Sequence, residues 1–286
     1  MRKLFFITHI FAHCISARAQ QAWTKQKGEY YSQLGITIYM YDGVVASDNS
    51  LIPLNRKLIQ NSVQAYLEYG VTDKFMLTGI IPFTLAKSTN TANVQPSGLS
   101  DGSLNALSNI QLAVTHNFYK NKGYVLSAKL NTSLPTATYK ESTGLRSGED
   151  AFALEPSLLT GYGHAKFFTS AEIGFGYRTN GYSSQTLAAF QIGKFFGKNK
   201  KLLIIFNTNL RLSNENGSYN DGRSTYTAFY LNDLSYLAPG FKFSYKITPN
   251  ITGWANIRAG LRPSQNIGGN STPFPGLSFA ISYSSK

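Results

Sequence analysis

His116 and His164 are the side chains of this sequence best suited to moving a proton or holding a metal, and neither stands in a pattern that uses it. A zinc site takes three or four His, Cys or carboxylate ligands, which two isolated histidines do not supply. A hydrolase working with His, Ser and Asn on a barrel wall would show His-x-Ser-Asn-Gly. Here His116 is followed by Asn117-Phe118, and His164 falls in a tight turn. Gly174-Phe175-Gly176 lies inside an alternating run with no helix after it, so the dinucleotide-binding context is missing. These glycines are better suited to relieving crowding in a sheet. Asp42, Asp48 and Asn49, like Asn214, Glu215, Asn216 and Asp221, are rich in oxygen but lack the spacing of a calcium loop, and read as solvated loops. No catalytic residue, cofactor or metal is expected, and the chain reads as a non-enzyme.

The charges that carry information are Glu68, Lys129, Glu155, Glu172, Arg178, Arg211, Lys242, Arg258 and Arg262. Each falls on the polar side of an alternating segment, so their meaning depends on what that side faces. The hairpin from Asn61 to Leu85 illustrates the point. Val63, Ala65, Leu67 and Tyr69 share one face while Ser62, Gln64, Tyr66 and Glu68 share the other. After Val71-Thr72-Asp73-Lys74, the apolar residues Phe75, Leu77, Ile81, Phe83 and Leu85 alternate with Met76, Thr78 and Thr84. Period-2 alternation across a short polar turn predicts two antiparallel strands.

The start of the chain restricts where such strands can be. Met1-Arg2-Lys3, an apolar stretch from Leu4 to Ile15 and Ala17-Arg18-Ala19 make a secretory signal peptide over residues 1–19, leaving one domain over 20–286. The only cysteine, Cys14, leaves with it, so the mature chain has no disulfide or thiolate chemistry. Processing also takes three of the 27 basic residues, leaving 24 against 14 acids, a formal +10. No run of Lys or Arg exceeds two residues, which argues against nucleic acid as the partner and for an envelope surface rich in anions. Charged residues are only 14% of the chain, against about 25% in ordinary soluble domains, while Tyr and Phe number 18 and 19. No window approaches the 18 or so apolar residues of a transmembrane helix. A secreted, aromatic-rich, weakly charged chain without such a helix fits a transmembrane β-barrel.

Twelve alternating runs are predicted: 29–41, 58–69, 75–86, 104–119, 124–134, 151–162, 166–178, 185–196, 201–212, 225–246, 251–262 and 276–283. The run 225–246 is long and contains Pro239, so it is either one tall kinked strand or a strand plus a folded-in segment. Five tight connections (71–74, 120–123, 163–165, 197–200, 247–250) alternate with six mostly longer ones (42–57, 87–103, 135–150, 179–184, 213–224, 263–275). That is the tally of a twelve-stranded antiparallel barrel, ten or fourteen strands being the alternatives, with short periplasmic turns and both termini periplasmic. Asn105, Asn109, Gln111, Asn207 and Asn256 join the charges on the lumen side, and Tyr30, Tyr69, Tyr119, Tyr162, Tyr245 and Tyr283 fall at turn-side strand ends, where an aromatic girdle belongs. Only Gln20–Lys27 precede the first strand, which argues against an N-terminal hatch and leaves gating to outer loops or lumen side chains.

Tyr66–Phe83 with its Tyr-Gly-Val-Thr-Asp-Lys turn, Leu130 to Thr136 (Leu-Asn-Thr-Ser-Leu-Pro-Thr) and Ser157–Gly163 resemble a family of outer-membrane transporters named after phenol degradation by the meta pathway. The resemblance implies a barrel with small-molecule passage. Six of the nine lumen charges are basic. The expectation is thus a channel or transporter in a bacterial outer membrane, passing small solutes through a polar, net-basic lumen. The rival is a non-transporting accessory barrel in a larger outer-membrane complex. Expected partners are membrane lipid, lipopolysaccharide, the solute and the barrel-insertion machinery, which would recognise Gly276–Tyr283.

Overall fold

A computed structural model describes residues 22–45, 51–91, 99–220, 230, 232–261 and 275–285. The expected signal peptide, Asp48, Asn49, Asp221, the stretch 225–229 and the expected lumen residue Arg262 lie outside the described residues. Fifteen strands run β1 Tyr30–Val45, β2 Leu51–Gly70, β3 Phe75–Asn90, β4 Gly102–Leu107, β5 Gln111–Asn121, β6 Tyr124–Ser133, β7 Tyr139–Lys140, β8 Leu145–Arg146, β9 Ala153–Gly163, β10 Phe167–Arg178, β11 Gln185–Phe196, β12 Leu202–Ser213, β13 Tyr236–Lys246, β14 Ile251–Ala259 and β15 Pro275–Ser284. All but β7 and β8 belong to one sheet. It closes on itself because β1 pairs with both β2 and β15. Since β4 and β5 both pair with β3, they form a single stave, and the barrel has twelve. Closure leaves no unpaired edge, the condition for backbone to sit in lipid.

Alternation fixes which residues meet lipid. Leu34, Leu67, Leu112, Leu158, Ile173, Phe241, Ile257 and Ile281 are all exposed on the outside, Ile173 the most at 61%. At the short-turn end Tyr30 stacks on Tyr283 and Tyr124 packs against Tyr162, ring centres 5.8 and 4.5 Å apart. The β5–β6 turn holds Lys122 and Gly123 both at positive φ, 45° and 89°. That is the tight hairpin geometry compatible with strand twist.

The structure corrects three expectations and, for residues 225–246, selects one of two alternatives. Asn105 faces outward and is exposed, because Ser108, Asn109 and Ile110 oppose only Ile81 and Pro82 and this extra residue flips the parity of β4 relative to β5. The expected loop 42–57 is mostly strand: β1 and β2 pair as far as Val45 and Leu51, and Leu54 and Leu58 turn inward and are buried. Among the described residues of 225–246 the strand is Tyr236–Lys246, and Asn232, Leu234 and Ser235 before it are buried inside the barrel, the folded-in alternative. Finally, the short segment before β1 does enter the lumen.

Candidate functional site

The lumen has three layers. At the short-turn end Ala22 and Trp23 are buried against Val125, Leu159, Phe168, Leu203 and Ile205, which project inward from β6, β9, β10 and β12. Trp23 meets Phe168 edge-on at 6.4 Å. It also lies so close to Gly161 that a Cβ there would sit 2.6 Å from the indole, so only glycine fits. Asn117 Nδ2 and Ser127 Oγ both donate to the Ala22 carbonyl. Lys25 Nζ sits 3.7 Å from Glu68 Oε2, and Thr24 and Lys27 donate to Asp73 in the β2–β3 turn at 2.8 and 3.0 Å. This tether, Ala22–Glu29, therefore spans the lumen from β9 and β10 to β1 and β2 and occupies its short-turn end. It lacks the alternation that marks strands, so sequence reading missed Trp23 and Lys25.

At the long-loop end the described loops fold inward. The β7–β8 hairpin brings Leu145 onto Tyr41, Leu54, Leu58, Ala86 and Leu104, and Leu234 joins from before β13. Beside this apolar patch Arg178 Nη1 and Arg211 Nη2 share Glu149 Oε1 at 3.0 and 2.8 Å. Arg178 also donates to the carbonyls of Ser183 and Asn232, and Arg211 to Gln185 Oε1. Burial would raise the Glu149 carboxyl, but Arg211 and Arg178 outweigh it and hold it below the ordinary carboxylate range. Arg146 donates to the hydroxyls of Tyr182 and Tyr219, whose rings stack at 4.0 Å, and lies 4.9 Å from the Tyr139 ring centre. Glu149 gave no sequence signal, because it lies in a loop without periodicity.

Between the two fillings lies a chamber of about 480 Å³. Glu68, Lys129, Glu155, Glu172, Arg211, Lys242 and Arg258 all contribute to its wall, whereas Arg178 belongs to the layer above. Lys129 Nζ is 2.6 Å from Glu172 Oε1. Glu155 accepts from Asn131 at 2.8 Å and from Gln185 at 3.3 Å, and Glu68 from the Tyr66 hydroxyl at 2.6 Å. Buried Lys242 places its Nζ 4.0 Å from the Trp254 ring centre, and Arg258 donates to Asn207 Oδ1 at 3.3 Å. Trp254, which donates to Gln33 Oε1 at 3.1 Å, was legible in principle from its parity with Asn256. Two internal ion pairs and a shared carboxylate thus neutralise part of the wall, and Lys242 and Arg258 stand on its β13–β14 side.

Closed sheet, lipid-facing apolar belt and polar, largely filled interior define a transmembrane antiparallel β-barrel of outer-membrane type. Within that class, residues 60–270 match the family described as "Putative MetA-pathway of phenol degradation", and the chain belongs to it. An outer membrane channel from Pseudomonas putida F1 superposes with a TM-score of 0.70 at 13% identity, over 94% of this chain and 100% of that one. The translocator domain of the autotransporter NalP from Neisseria meningitidis gives 0.52 at 7% identity, over 91% and 89%. The KdgM porin gives 0.51 at 8%, over 89% and 99%. At these identities the likeness is one of fold. Comparison with curated proteins finds no match.

Proposed function

We propose that the protein is an outer-membrane channel for small solutes, held closed in this structure, with the chamber as its transit site. The observation that carries this reading is the chamber itself: about 480 Å³ of space left between two fillings, within the roughly 300–1,000 Å³ of small-molecule sites. A barrel serving only as a scaffold has no need of a space lined by Lys242, Arg258, Trp254 and Tyr66. Passage requires the N-terminal tether and the inward-folded loops to part. In this reading residues 1–19 are a signal peptide, the short turns and both termini are periplasmic, and Gly276–Tyr283 is the segment read by the insertion machinery. The net-basic wall makes anionic solutes the favoured cargo, since charge in a narrow aqueous passage selects ions through the local field.

The test is single-channel recording of the mature chain and of a form lacking Gln20–Lys27. Truncation is expected to raise conductance several-fold, with reversal potentials that favour anions and move toward cations in Lys242→Glu. Cation preference in the parent would overturn the basic-lumen reading. Silence in both forms would overturn the channel reading and favour an accessory barrel.

A further inference from the structure

Outside the buried Lys25–Glu68 pair, the short-turn end carries ten lysines and only two carboxylates among the described residues, and no arginine. Neither carboxylate offsets the lysine side chains. Asp73 Oδ1 accepts the Lys27 amide at 3.0 Å, and Glu29 Oε2 accepts the Gln26 amide at 3.2 Å. None of the ten lysines forms an ion pair with a described carboxylate; the four ion pairs among the described residues use Lys25, Lys129, Arg178 and Arg211.

Their placement is the second observation. Lysines stand on or beside all five short turns, and so around the whole circumference. Each turn pairs a lysine with an outward aromatic: Lys74 with Phe75, Lys120 with Tyr119, Lys166 with Phe167, Lys246 with Tyr245. On β11 Lys194 lies on the lipid-facing parity of Phe190 and Ile192, its Nζ 5.4 Å from the Phe196 ring centre. An aromatic at the membrane interface with a long cation beside it is the arrangement in which an alkyl stem covers apolar surface and the ammonium reaches the headgroups.

From these two observations we infer that the short-turn rim is a collar for anionic phospholipid headgroups. It rests on the barrel reading but not on channel activity. A ring flanking lipid-facing aromatics matches a leaflet that surrounds the barrel. A protein docking across the mouth would instead draw its charges to the inner edge or to one side. Lysine suits the task because its hydrated, mobile point charge can follow a fluid phosphate, whereas the arginines of this chain are kept for fixed geometry inside.

The experiment uses refolded mature protein in zwitterionic micelles, with energy transfer from its two tryptophans to dansyl-phosphatidylglycerol or dansyl-phosphatidylethanolamine. The phosphatidylglycerol probe should be enriched by about five-fold, and the preference should collapse near 0.5 M salt, where the Debye length is only a few ångströms. A variant with Lys120, Lys122, Lys166, Lys198, Lys200 and Lys201 each changed to Gln should lose the preference. Lys57→Gln with Lys87→Gln and Lys140→Gln, at the other end, should keep it. Equal enrichment of both probes in the parent overturns the collar, as does equal loss in both variants. If the six-site variant does not fold, the salt titration of the parent decides, since an apolar annulus persists in salt and an ionic collar does not. Transfer to neither probe would instead count against the membrane barrel. Capture of isolated peptidoglycan without phospholipid preference would move the rim to a different partner and overturn the proposal.

Discussion

At the short-turn end the lumen is filled by an indole packed among aliphatic and aromatic side chains, whereas at the long-loop end two guanidiniums share one carboxylate beside a second apolar patch. The first filling belongs to a tether outside the sheet and is held largely by shape, with the Lys25–Glu68 pair beside it: Gly161 is hollowed for Trp23, and a Cβ on Gly70 would lie 2.0 Å from the Gln26 carbonyl. The second belongs to loops between staves and is held in large part by charge-assisted hydrogen bonds, which demand fixed geometry and respond to pH. One barrel thus carries one closure sensitive to packing and another sensitive to protonation, and each can be loosened separately.

The largest effect is expected from Trp23→Ala. Truncating a buried aromatic costs about 3–5 kcal/mol, here charged to the tether rather than to the closed sheet. Open-channel probability in bilayer recordings should rise by two orders of magnitude or more, while the heat-modifiable gel shift of the folded barrel is retained. An unchanged open probability would break the comparison. Glu149→Gln comes next. It leaves Arg178 and Arg211 without their shared anion, at roughly 3 kcal/mol, the low end for a buried pair, because Glu149 and Arg211 keep 15% and 19% exposure. Amide exchange should accelerate across residues 145–152 and 178–185 and stay unaltered at 22–28.

Acid should imitate that substitution in part. The folded Glu149 carboxyl lies below its ordinary value of 4.5. Its contribution is therefore complete above that pH and is lost as pH falls through the lowered value. Protection against amide exchange at the long-loop end, corrected for the intrinsic rate, should fall as the pH drops below 4.5, with the Trp23 environment, followed by fluorescence against a Trp254→Phe background, changing little. Arg146→Lys should be the mildest, at about 1 kcal/mol for a lost hydrogen bond, seen as weakened near-ultraviolet dichroism from the Tyr182–Tyr219 stack. A loss as large as that of Glu149→Gln would show that the tyrosine clasp, not the shared carboxylate, holds the loops.

How much of this was legible follows from where periodicity operates. Twelve alternating runs with five short and six longer connections determined a barrel, its strand order and its lipid face, because a period of two has one solution once both faces are assigned. The same parity placed Glu68, Lys129, Glu155, Glu172, Lys242 and Arg258 on the wall of one chamber. It failed at Asn105, where a bulge inserts one residue and reverses the faces downstream. It was silent on Ala22–Lys25, Glu149 and Leu234, which lie outside any repeat. Sequence determines local alternation through backbone geometry. Only the tertiary structure decided that the tether and loops turn into the lumen, because that depends on which distant walls leave room: Gly161 for Trp23, and the gap beneath Arg178 and Arg211 for Glu149.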